Sequence, residues 1–168
     1  IGDAVAAISD CPGPVVARLS GHCHGAGVEL ALTCDLRVGA PSLRMSVPAV
    51  SLGVVYRYEF VARLVVMVGL ARTSTLLLGM DELNLGGAEA WGLVNFPAAQ
   101  SELDARTREV AEKLAQAPRT AVRGTKASLN LLVARGINED DLARAQQLRA
   151  DAFSSPERKE ALDRRRKR

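Results

Sequence analysis

The segment Gly21-His22-Cys23-His24-Gly25-Ala26-Gly27 constrains the fold of this chain more than any other. Residues without bulky side chains let a backbone turn sharply and approach a ligand closely. Upstream, Pro14-Val15-Val16-Ala17-Arg18-Leu19-Ser20 is short, rich in valine, and reads as a strand. Downstream, Val28-Glu29-Leu30-Ala31-Leu32 is an apolar run that opens a helix from the turn, and Thr33 to Ala40 ends that helix and starts a second strand. The order strand, turn, helix, strand is a βαβ unit. A helix start presents unpaired N–H groups and a partial positive charge, which suits a developing oxyanion. Glu29, a few residues further on, could move protons beside it.

Punctuation by glycine and proline divides the rest. Asp3 to Ser9 reads as the last turns of a helix ended by Cys11-Pro12-Gly13-Pro14. Leu43 to Val47 reads as a strand closed by Pro48. Phe60, Val61, Leu64, Val65 and Val68 follow helical spacing over Tyr58–Val68, with Gly69 as the stop. A second short helix spans Ala71 to Leu78 and ends at Gly79, and Asn84 is placed to cap a segment around Ala88–Trp91. Beyond residue 100 the pattern is helical. Ser101 is the candidate cap of a helix to about Gln116, a second runs Thr120–Arg135 to a stop at Gly136, and Asn138 starts a third. In that third helix Leu142, Ala145, Leu148 and Phe153 share a face, and Pro156 opens a fourth. With 168 residues, one buried domain is the expectation.

No apolar run reads as reaching the length of a membrane span, and no charged-then-apolar leader opens the chain, so neither a membrane partner nor a targeting segment is expected. A chain that begins with Ile1 is expected to be a processed form or a piece. Cys11, Cys23 and Cys34 make no even set and no paired metal spacing, which fits reduced thiols in a cytoplasmic protein. The net charge of +3 is uneven: residues 1–100 hold 6 Lys and Arg against 8 Asp and Glu, residues 101–168 hold 16 against 11. Much of the excess sits in Arg164-Arg165-Arg166-Lys167-Arg168, with no aromatic residue nearby, so a solvated end is favoured over nucleic-acid binding.

The turn, together with Leu43-Arg44-Met45-Ser46-Val47-Pro48, Ser51-Leu52-Gly53-Val54 and Ala90-Trp91-Gly92-Leu93-Val94 in that order, resembles the crotonase superfamily, the enoyl-CoA hydratase/isomerase group, from the first residues to about Phe153. The resemblance implies an α/β fold, crotonase-like (ClpP/crotonase), a spiral core of βαβ units truncated at the N-terminus. It implies a partial core over residues 1–100 and a helical region with a basic tail over residues 101–168. The N-terminal segment that in this family supplies early strands, part of the CoA pocket and one of two oxyanion donors has no counterpart here. The implied partner is an acyl-CoA thioester, with coenzyme A entering as part of the substrate and no separate cofactor, and the implied assembly is a homotrimer or hexamer. The alternative is a catalytically impaired homologue that serves as an oligomerisation or ligand-binding module.

The same resemblance places one oxyanion donor on the backbone N–H of Ala26, permitted by Gly25 and Gly27, and matches Glu29 to one of two hydratase glutamates. Read from the residues, an acid on an apolar helix face requires either a substrate or a buried partner, because a lone buried carboxylate is costly. An ion pair with Arg18 or Arg37 is the competing role. The family's second glutamate falls on Ala49, which can neither donate nor accept a proton, so single-base chemistry is favoured over hydration. Tyr56-Arg57-Tyr58-Glu59 replaces a glycine-rich loop. Glu59 becomes a second acid candidate, and Tyr56 and Tyr58 become candidates to orient a carbonyl or fill the acyl pocket, against a plain solvated helix start. His24 is expected to line the turn beside that pocket. Lys126 is expected to border it, with a solvated face as the alternative. His22-Cys23-His24 invites a metal reading, but adjacent residues seldom aim at one ion and no second ligand cluster follows at a useful spacing, so no metal is expected.

Overall fold

Two small sheets, with strands drawn from residues 16 to 97, carry the helices that frame the site. The computed structural model describes residues 1–53, 55–79, 82–135, 144, 147, 150, 151 and 154–166. Helix α1 (Gly2–Asp10) leads through a proline-containing turn to strand β1 (Val16–Leu19). The chain turns at Ser20–Gly21 into a second strand, β2 (His22–His24), before helix α2 (Ala26–Thr33) and strand β3 (Leu36–Gly39). β1 and β3 pair in parallel, Val16 opposite Leu36 and Leu19 opposite Gly39, which closes the expected βαβ unit around α2. β2 was not anticipated: its three residues have no periodicity to read, and it belongs to a different sheet.

Strand β4 (Arg44–Ser46) pairs in parallel with β2, His22 opposite Arg44 and His24 opposite Ser46. A short 3₁₀ turn (Val50–Leu52) then leads to helix α3 (Tyr58–Leu78). Strand β5 (Leu83–Asn84) lies antiparallel to β4, helix α4 (Leu85–Ala90) follows, and strand β6 (Phe96–Pro97) adds in parallel to β3. The sheet orders are β1-β3-β6 and β2-β4-β5. Helices α5 (Leu103–Ala115), α6 (Arg119–Arg135) and α7 (Pro156–Arg166) complete the described elements. The expectations at Gly136, Asn138, Leu142, Ala145, Leu148 and Phe153 lie outside the described residues.

Local chemistry explains most boundaries. α3 is interrupted at Gly69 (φ 79°, ψ 163°), a conformation essentially closed to residues with a side chain, so the two helices expected either side of it are present. The Thr73 hydroxyl donates to the Gly69 carbonyl at 2.9 Å, one turn back at the break. α3 as a whole is long and apolar enough, by length and composition, to cross a membrane, which corrects the expectation that no such run exists. Asn84 caps α4, its side-chain oxygen accepting from the Gly87 N–H at 2.9 Å. The cap of α5 falls on Glu102, without a side-chain bond, in place of the expected Ser101.

The main core packs Val28 and Leu32 of α2 against Met45 of β4, neighbouring Val47, and Phe60 and Leu64 of α3. A second cluster buries Leu103 and Val110 of α5 under Val38 and Ala40. β3 is buried from Arg37 to Gly39, as befits a central parallel strand covered on both faces. The result fixes α2 at the centre, with its first turn open and α1, α3 and α6 around its flank.

Candidate active site

The start of α2 is built from the residues the sequence singled out. Gly25 has φ 54° and ψ −114°, a region disfavoured for residues with a Cβ, and its own N–H donates to the Ser46 carbonyl at 2.9 Å. A Cβ at position 25 would sit 2.9 Å from the Tyr56 hydroxyl, so glycine also leaves room for that phenol above the turn. The Gly25 carbonyl accepts from Val28 and Glu29 at 3.0 and 3.2 Å, which closes the first turn. The N–H groups of Ala26 and Gly27 have no hydrogen-bond partner among the described residues. The expected donor is therefore not consumed by the helix.

Tyr56 is half-buried and its ring lies 5.1 Å from that of Phe60. Burial, then the nearby Glu29 charge, pushes its phenol above the usual tyrosine range, so the hydroxyl keeps its proton and remains a donor.

Glu29 is 5% exposed. It is ion-paired and hydrogen-bonded with the Nη2 of Arg57, a partner that sequence reasoning missed. The partners weighed there are engaged elsewhere. Arg18 pairs with Asp104, and buried Arg37 donates to the carbonyls of Leu93 and Cys34, each at 2.7 Å. The loop after β4 folds back and carries Arg57 onto α2, a long-range contact that no local spacing encodes. The pair gives the buried Glu29 side chain a bonded partner while leaving Arg57 half in solvent.

A cavity of about 680 Å³ opens beside Glu29, lined among others by Arg57, Tyr58, Glu59, Lys126 and Asn130. It brings together Glu29, Glu59, Tyr58 and Lys126 from the candidate set. Gly25, Ala26, Gly27, His24, Ala49 and Tyr56 are not among its lining residues, so the donor turn and this cavity meet only through Glu29 itself. A larger cleft of about 890 Å³, between β1, α5 and α6, holds none of the candidate site residues.

Lys126 lines the cavity without a free donor, while His24 and Ala49 lie outside it. Lys126 is 6% exposed, and its ammonium donates to the carbonyls of Gly13 and Ile8 at 3.0 and 3.3 Å and to Asp35 Oδ2 at 2.9 Å. All three donors are occupied, which makes it a strut between α6, the end of α1 and the start of β3. His24 lies on the exposed face of β2, its Nδ1 2.6 Å from the Ser46 hydroxyl, away from the Glu29 cavity. Ala49 is 6% exposed and packs in the main core, where its methyl offers no proton. Glu59 and Tyr58 are both exposed, Tyr58 at 82%, at the first turn of α3.

The sequence matches the family model for enoyl-CoA hydratase/isomerase over residues 2–168. It is 34% identical over 140 residues to a crotonyl-CoA hydratase of Syntrophomonas wolfei, an alignment covering 83% of this chain and 52% of that protein. It is 35% identical over 127 residues to a peroxisomal Delta(3,5)-Delta(2,4)-dienoyl-CoA isomerase of Arabidopsis thaliana, covering 75% and 46%. Among solved structures, an enoyl-CoA hydratase/isomerase family protein from Hyphomonas neptunium superimposes with a TM-score of 0.87 at 29% identity, covering 97% of this chain and 62% of that one. The chain thus spans about half the length of the curated relatives it matches.

Proposed function

The chain belongs to the enoyl-CoA hydratase/isomerase family and has the crotonase fold, and from that premise we propose that it binds an acyl-CoA thioester in fatty-acid or related acyl-CoA metabolism and stabilises its enolate. The observation that carries this reading is the unpartnered Ala26 N–H at the head of α2, with the buried carboxylate of Glu29 one turn in. A thioester oxygen accepting from Ala26 gains its strongest bond when negative charge develops on it, so the donor favours the enolate over the ground state. Glu29 takes a proton from the carbon next to the carbonyl, and the charge moves onto the oxygen at the helix start. Returning the proton two carbons further along shifts a 3-enoyl double bond into conjugation with a single base. Ala49, and Glu29 as the one buried acid among the described residues, favour this shift over hydration.

For that step the Arg57 pair must loosen, since its hydrogen bond and the proton compete for the same carboxylate. This pair, with Ala49, favours the second reading, in which the chain holds acyl-CoA or its own copies without turnover. A homotrimer or hexamer is the assembly we propose in either case, supported by the exposed apolar Val66, Leu70 and Leu78 of α3.

The test is incubation with medium-chain trans-2- and trans-3-enoyl-CoA, following the absorbance of the conjugated thioester. The first reading expects conversion of the 3-enoyl ester and a loss of about 100-fold or more in Glu29→Gln. Turnover unchanged in that variant eliminates the base. Binding without turnover by the wild type establishes the second reading instead.

A further inference from the structure

We infer that His22, His24 and Glu82 form a surface site for a divalent late-transition-metal ion of the zinc, cobalt or nickel class, distinct from the acyl-CoA site. The alternation of β2 sets it up. His22 and His24 are exposed and Cys23 is buried between them, so the two imidazoles stand on one face, two residues apart. The third ligand arrives through the sheet. β4 places Ser46 opposite His24, and β5 runs antiparallel to β4 with Leu83 opposite Met45, which brings the preceding Glu82 alongside. Sequence reasoning found no further ligand because 58 residues separate Glu82 from His24.

The distances suit one ion. His22 Nδ1 and His24 Nε2 are 3.1 Å apart, His24 Nε2 and Glu82 Oε2 are 3.8 Å apart, and the three ligand atoms all lie within 4.8 Å of one another. Ligands bound to tetrahedral zinc at about 2.0–2.1 Å stand about 3.3 Å from each other, so the cluster needs only side-chain adjustment to close on an ion, with water in the fourth position. Two imidazoles and a carboxylate favour zinc, cobalt, nickel or copper over calcium or magnesium, which take oxygen.

The surroundings hold two of the ligands in place. The Ser46 hydroxyl lies 2.6 Å from His24 Nδ1; accepting from that N–H, it leaves the Nε2 lone pair facing His22 and Glu82. Arg44 Nε lies 3.7 Å from Glu82 Oε1, the other carboxylate oxygen, which orients the group but also competes with a cation. Cys23 is buried on the opposite face of β2, so its thiol points away from the cluster and is no rival ligand.

The experiment titrates the tag-free chain with zinc by calorimetry and with cobalt by visible absorption. One ion per chain is expected, with a cobalt spectrum lacking a thiolate charge-transfer band. His22→Ala and His24→Ala each weaken binding by at least about 30-fold, and Ser46→Ala by about 10-fold, the size expected for loss of an orienting partner. Glu82→Gln, which lies outside the strands and leaves β2 untouched, weakens it about 10-fold, and Arg44→Gln strengthens it. Circular dichroism establishes that each variant keeps the wild-type helix signal. Zinc affinity unchanged in both Glu82→Gln and His24→Ala overturns the site. So does a thiolate band in the cobalt spectrum, or a wild-type affinity no better than that of the double histidine variant.

Discussion

Replacing Lys126 by Met removes the charge that ties three parts of the fold and leaves the rest of the side chain in place. In the native protein its ammonium meets Asp35 Oδ2 at 2.9 Å and two backbone carbonyls, with side-chain exposures of 7% for Lys126 and 19% for Asp35. Breaking a buried pair from one side costs about 3–5 kcal/mol, because the remaining charge stays buried without its partner. Asp35 keeps one strong bond, from the Val15 N–H at 2.6 Å, and its partial exposure admits water, so the lower end, about 3 kcal/mol, is expected. With a urea slope of about 2 kcal/mol/M, the midpoint of unfolding followed by circular dichroism falls by about 1.5 M with the slope unchanged. Asp35→Asn in the same background returns part of the loss, a coupling of about 1 kcal/mol or more. A shift below about 0.5 M, or strictly additive single changes, would refute the strut and return Lys126 to the solvated or ligand-binding face.

Gly69→Ala is expected to cost about 1–3 kcal/mol, read as a lowered urea midpoint, since nothing stands within 4 Å of the added methyl and the cost is wholly that of the backbone conformation. In a Tyr58→Phe background, tyrosinate absorbance should report Tyr56 titrating above the ordinary value of about 10. Because the folded phenol holds its proton more tightly than the unfolded one, its contribution to stability is complete below that value and is lost as pH rises through the folded pKa. Glu29→Gln should bring the titration back down, as the second cause of the shift is the Glu29 charge.

Much of the frame was legible because glycine, proline and asparagine act locally. The break at Gly69, the cap at Asn84 and the start at Pro156 each follow from one residue's own backbone or side-chain chemistry. The βαβ unit was legible for a related reason: a valine-rich run and an apolar run differ over enough residues to show their type. The strands β2, β5 and β6, of three, two and two residues, are too short to carry a period and exist through pairing alone. The site divided the same way. The free amide of Ala26 follows from its place at a helix start, whereas the partner of Glu29 depends on where the loop carrying Arg57 returns. Lys126 shows the limit of face assignment, since helical spacing cannot tell a solvated lysine from one that three distant acceptors draw into the interior.

The most direct test of the functional account is the ¹H–¹⁵N signal of the residue 26 amide during titration with a saturated acyl-CoA that binds but does not react. The account predicts that this proton moves downfield as the ester saturates, further than any other backbone amide of α2, as a carbonyl oxygen settles on it. Saturable binding that leaves the residue 26 signal in place would contradict it, because the ester would then be held by some other part of the surface.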